Sequence, residues 1–129
     1  LEPAWPTRCR WTNARSRRNV GPMGVHVMAI YRPRDGKQAE LEAEMVDHVP
    51  LLRRLGLATA TPSRVLRASD GTLIEHFEWC GHDAIAAAHE HPQVLEMWAR
   101  YEQCCEYGTL ADLPNVATMF PEFEFVGSY

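Results

Sequence analysis

The strongest constraint on this chain is a hydrophobic period that changes along its length, from two to about 3.6 residues and back. Gly24–Tyr31 (GVHVMAIY) alternates, with Val25, Val27, Ala29 and Tyr31 on one side and His26, Met28 and Ile30 on the other. Both sides are largely apolar, which predicts a central strand covered on two faces. Arg32–Gly36 is a turn by its Pro and Asp-Gly. Across Lys37–Leu55 the residues Leu41, Met45, His48, Leu52 and Leu55 recur in steps of four and three, while Glu40, Glu42, Glu44 and Asp47 lie opposite. That pattern predicts an amphipathic helix, kinked at Pro50 and ended by Gly56. Leu57–Ala68, interrupted by Pro62, and Thr72–Trp79 (TLIEHFEW) read as two strands of a hairpin around Ser69–Gly71. Gly81–Glu90 is a short helix. His91 caps a longer one, Pro92–Tyr107, whose stripe is Val94, Trp98, Tyr101 and Cys105. Gly108 closes it, Thr109–Val116 is a loop, and Ala117–Val126 is a last strand containing Pro121.

The order β-α-β-β-α-β predicts an α+β domain of the ferredoxin-like kind, with a four-stranded antiparallel sheet. Strands one and three are expected in the centre and strands two and four at the edges. Pro62 and Pro121 agree, because proline cannot donate to a sheet ladder and belongs at its edge. Two helices cover one face of such a sheet. The other face would carry Met28, Ile30 and Ile74 as one apolar patch, which predicts a homodimer packed sheet to sheet.

Length and charge narrow the classes. The chain has 129 residues, enough for one domain, and 46% of them are apolar. Residues 1–22 carry five arginines against Glu2, a net +4, whereas residues 23–129 carry −8. An acidic body makes nucleic acid an unsuitable partner. No apolar run approaches the ~20 residues that span a bilayer, so neither membrane nor nucleic acid is expected as a partner. Residues 1–22 show no apolar periodicity and are expected to be an unstructured leader or non-native extension. They are Arg-rich and acid-poor as transit peptides are, but Met23 directly precedes the patterned sequence of the domain at 23–129. Cys9, Cys80, Cys104 and Cys105 show no metal-ligand spacing. They read as four free thiols in a reducing cytoplasm.

The first strand with its turn and helix (VHVMAIYRPRDGKQAELEAEM), the segment HVPLLRRLGLAT, and DGTLIEHFEW followed by AHEHPQVLEMWARY together resemble the dimeric α/β barrel superfamily. Within it they are most similar to the antibiotic-biosynthesis-monooxygenase-like group. The resemblance covers nearly all of residues 23–126 and implies a small-molecule pocket between the sheet and the helices of each subunit. In the quinone-forming members the third strand carries an Asn and a Trp on one face. Those positions here hold Glu75 and Trp79, and a family tyrosine in the next helix falls on Ile85. Haem-degrading members use an Asn on strand one and a His on the last helix. Ala29 and Ala99 or Arg100 stand there, which argues against haem degradation.

The expected pocket is lined by Tyr31, Phe77, Trp79, Trp98 and Tyr101, all on core-facing positions and all suited to a hydrophobic small molecule. Among them stand two ionisable groups, His48 in the helix stripe and Glu75 on the apolar face of strand three. A buried carboxylate needs a partner. The expected partner is His48, or else an arginine such as Arg64, Arg67 or Arg100. If His48 and Glu75 meet, they form an acid–base dyad suited to abstracting a proton from a phenol or an activated carbon. The favoured function is a small cytoplasmic enzyme acting on a hydrophobic, aromatic or polyketide-like compound, by cofactor-free oxygenation or by proton transfer through His48 and Glu75. The alternative is a dimeric binding or stress-associated protein. A weaker one is a metal enzyme using His26, His76 and Glu78 on the opposite sheet face. No G-x-G-x-x-G or P-loop occurs, which argues against nucleotide dependence.

Overall fold

A computed structural model describes Cys9 and residues 24–129. Five strands form one antiparallel sheet: β1 (Val25–Pro33), β2 (Arg64–Arg67), β3 (Leu73–Trp79), β4 (Cys105–Gly108) and β5 (Glu124–Gly127). Their order across the sheet is β4-β1-β3-β2-β5. Three helices intervene: α1 (Gln38–Arg54), α2 (His82–Ala88) and α3 (Pro92–Cys104).

The central pair follows from alternation. β1 and β3 are in register from Val25↔Trp79 to Tyr31↔Leu73, so Tyr31, Ala29, Val27 and Glu75, Phe77, Trp79 share one face. α1 and α3 lie on that face. Leu41 and Met45 of α1 meet Met97 and Tyr101 of α3 over Tyr31, Val65 and Leu73. A second cluster joins Val49 and Leu52 to Phe77, Trp79 and the α2 alanines Ala84 and Ala88. α1 runs through Pro50 and ends where Gly56 takes φ +79°, a left-handed conformation that favours glycine. His91 caps α3 by accepting from the Gln93 N–H at 3.2 Å, with Pro92 as the first helical residue.

Several sequence expectations are corrected. The sheet has five strands, not four. The helix expected to reach Tyr107 stops at Cys104, and Cys105–Gly108 pairs with β1 (Tyr31↔Tyr107) as one edge of the sheet. The last strand is only Glu124–Gly127 and flanks β2, so β2 is internal. Pro62 and Pro121 lie outside the strands, and the proline that does fall in one, Pro33, is the final residue of β1. The turn at Gly71 (φ +93°) joins β2 to β3 as expected. β5 is held by the residues that follow it: Tyr129 O accepts from Ser63 N at 2.8 Å and from Ser63 Oγ at 3.0 Å.

The face away from the helices also differs. Ile30 and Ile74 are buried, covered by Leu113 and Phe123 of the segment between β4 and β5. Only Met28 of the expected apolar patch stays open, so the patch argument for a sheet-to-sheet dimer loses most of its area. The four-thiol reading is likewise overturned. Cys9 is disulfide-bonded to Cys80, 71 residues apart, leaving Cys104 and Cys105 as the free thiols among the described residues. Apart from Cys9, the expected leader lies outside the described residues. Among those residues no helix is long and apolar enough to cross a membrane.

Candidate functional site

A cavity of about 600 Å³ opens on the helix-bearing side of the sheet. β1 supplies Val27, Ala29 and Tyr31, and β3 supplies Phe77 and Trp79. α1 supplies His48, and α3 supplies Leu95, Trp98 and Tyr101. Met28, Ile85, His89, Glu102 and Tyr107 complete the wall. The wall is mainly apolar and aromatic, with few polar groups. All five aromatic residues expected from the sequence line it.

His48 and Glu75 meet. His48 Nδ1 is 2.8 Å from Glu75 Oε1, and both side chains are almost wholly buried (3% and 0% exposed). The same Oε1 accepts from the Tyr31 hydroxyl at 2.8 Å. On its other side, His48 Nε2 accepts from the Trp98 indole N–H at 3.1 Å. The four side chains thus form one hydrogen-bonded line, Tyr31–Glu75–His48–Trp98, drawn from β1, β3, α1 and α3. Of the arginines named as alternative partners for Glu75, Arg67 pairs with Glu42 and Glu124, Arg100 pairs with Glu44, and Arg64 is exposed at the β2 position opposite His76.

Packing holds the imidazole in place. Its ring meets Phe77 edge-on at 5.5 Å and Tyr101 at 5.0 Å between centroids. Burial, with the Glu75 charge second, pushes the Tyr31 phenol well above its ordinary range. Tyr101 is pushed up for the same reasons. Both therefore remain O–H donors near neutral pH. Three buried polar atoms lack a partner among the described residues: Glu75 Oε2, Tyr101 Oη and Arg67 Nε. Two of them belong to this cluster. Such atoms cost free energy unless a ligand or water meets them.

The opposite sheet face carries His26, His76 and Glu78. His26 Nδ1 is 3.1 Å from His76 Nε2, and His26 Nε2 is 3.4 Å from Glu78 Oε2. The three are neighbours, but the His26 nitrogens point to different partners instead of one centre. Glu78 is already satisfied by Thr59 Oγ1 (2.9 Å), Thr61 Oγ1 (3.1 Å) and the Gly24 N–H (3.2 Å). No group of three possible ligands is arranged to hold a metal ion among the described residues. The free thiols are poor nucleophiles: burial pushes Cys105 up to about 11 and also raises Cys104.

Sequence reasoning missed His89 and Tyr107. His89 Nδ1 donates to Ile85 O at 2.8 Å and sets its ring edge-on to Trp98 at 5.0 Å. Tyr107 entered the wall only because β4 replaces the last helical turn; the nearby Gly108 was the one local signal. Comparison with models of known protein families, with curated proteins and with solved structures finds no match for this chain.

Proposed function

We propose that this protein binds a hydrophobic aromatic compound in the cavity and abstracts a proton from it, with His48 as the base and Glu75 as the group that orients and supports it. The observation that carries this reading is the buried His48–Glu75 contact of 2.8 Å beside an aromatic cavity of about 600 Å³. A general base needs a fixed tautomer, a partner for its second nitrogen and a dry setting. Here Glu75 Oε1 accepts from Nδ1, so Nε2 is the atom that would receive the proton once the Trp98 N–H gives way. The Tyr101 hydroxyl, which has no partner among the described residues, is available to donate to an oxygen of the ligand and to stabilise the anion as it forms. The anion of a phenol is electron-rich, and its oxygenation by dioxygen without a cofactor is the extension that resemblance to the monooxygenase-like group implies.

The finer fold assignment belongs to the same proposal. The run β4-β1-β3-β2, with α1 and α3 on one face, supports a ferredoxin-like assignment with β5 as an added edge. A homodimer remains part of the proposal through the resemblance alone.

A binding role without turnover is favoured by one observation: both imidazole nitrogens are already engaged, Nδ1 by Glu75 and Nε2 by Trp98. Titration with 1-naphthol and hydroxynaphthoquinones, followed by tryptophan fluorescence and by oxygen uptake, separates the readings. Binding with turnover that His48→Gln abolishes supports the enzyme. Binding without turnover supports the second reading. Absence of aromatic binding refutes both.

A further inference from the structure

An indole N–H donates and never accepts. With Trp98 Nε1 3.1 Å from His48 Nε2, that imidazole nitrogen must carry the lone pair. The proton of the neutral ring then sits on Nδ1, aimed at Glu75 Oε1 at 2.8 Å. A second proton on Nε2 would confront the indole N–H with nothing to accept either.

We propose that Trp98 is a positioning residue that holds His48 in its neutral, Nδ1-protonated form, and that a ligand reaches the base only by replacing the indole N–H with a donor of its own. The inference rests on the reading of His48 as the base and deepens it by naming the ligand's reacting group. That group must donate a hydrogen bond to Nε2, as a phenol or enol hydroxyl does. An ether, a hydrocarbon or a ketone without an enol form lacks the proton that the indole gives up.

The surroundings make Trp98 the deciding group. From β3, Glu75 favours the imidazolium, and Phe77 packs edge-on without charge. From β1, Tyr31 reaches His48 only through Glu75. From α3, Tyr101 packs on the ring at 5.0 Å, and burial keeps both phenols protonated. His89, after α2, lies beyond Trp98, against the indole. Glu75 thus pulls towards protonation, and the Trp98 N–H opposes it from the far side of the ring. Trp98 is only half-buried and lines the cavity, so its indole can turn aside without dismantling the core.

The test is two-bond proton–nitrogen NMR of the His48 ring in the full chain without ligand, from pH ~5 to ~8, where an unperturbed imidazole changes charge. At neutral pH the wild type should show protonated Nδ1 and unprotonated Nε2. Trp98→Phe keeps an aromatic ring and removes the donor. Without the indole donor, Nε2 should take a proton in a measurable fraction of molecules, seen as a shift of its nitrogen resonance towards the protonated position. A wild-type ring protonated at Nε2 at neutral pH overturns the proposal, and so does an unchanged Nε2 resonance in Trp98→Phe. If Trp98→Phe does not fold, the wild-type tautomer decides alone. Because no ligand is present, the result stands whether or not aromatic turnover is found.

Discussion

Tyr31 and Tyr101 offer a controlled comparison, because both are buried phenols in contact with one another at 5.1 Å between ring centroids. Replacing either by Phe deletes one oxygen and leaves the ring. The Tyr31 hydroxyl donates to Glu75 Oε1 at 2.8 Å, whereas the Tyr101 hydroxyl has no partner among the described residues. A hydrogen bond to a charged group contributes about 1.5–3 kcal/mol net, so Tyr31→Phe should destabilise by that amount. For a chain of this length that corresponds to a fall of roughly 5–12 °C in Tm. Tyr101→Phe removes an unsatisfied buried oxygen, whose cost is about 1–3 kcal/mol, and should be neutral or stabilising. The two effects should therefore differ in sign or differ by at least about 1.5 kcal/mol. Urea denaturation followed by circular dichroism measures both, with the m-value checking that the unfolded state is unchanged. Equal losses, or a larger loss for Tyr101→Phe, would refute the hydrogen-bond assignment within the cluster.

Alkali should destabilise the protein through the same two residues. Their folded-state values are raised above the unfolded value of about 10, so their contribution is complete below that pH and declines as pH rises beyond it, by about 1.4 kcal/mol per pH unit for each. A Tyr31→Phe/Tyr101→Phe double variant should show a correspondingly shallower loss of denaturation midpoint above pH ~10. His48→Ala removes the ring that answers both Glu75 Oε1 and the Trp98 N–H, and should cost about 3–5 kcal/mol in chemical denaturation, with His48→Gln milder. Gly24→Ala would bring a Cβ within 2.5 Å of the Trp79 carbonyl oxygen. Overpacking at that point should lower stability by about 1–3 kcal/mol, and an unchanged Tm would show that the start of β1 is free to shift.

The sequence alone determined the elements whose periodicity is long and local. Alternation in β1 and β3 put Tyr31, Glu75, Phe77 and Trp79 on one face, and the four-and-three stripe of α1 aimed His48 at it. Those two periods placed His48 and Glu75 in one interior but left open whether the carboxylate would meet the imidazole or an arginine, and only the packing brought the two within 2.8 Å. Tertiary structure decided what depends on partners distant in the chain. Cys105–Gly108 continues a helical pattern and becomes a strand only because the β1 edge offers it a hydrogen-bonding ladder. Four-residue β5 carries too little pattern to say which edge it joins, and the Tyr129–Ser63 bonds fix it beside β2. The covering of Ile30 and Ile74 by Leu113 and Phe123 required a long irregular segment to fold back, which no local period encodes. The sharpest feature of the site, the indole N–H of Trp98 on His48 Nε2, joins residues 50 apart on two helices. Helix periodicity placed both side chains in the core, and only the packing of α1 against α3 brought their nitrogens within hydrogen-bonding distance.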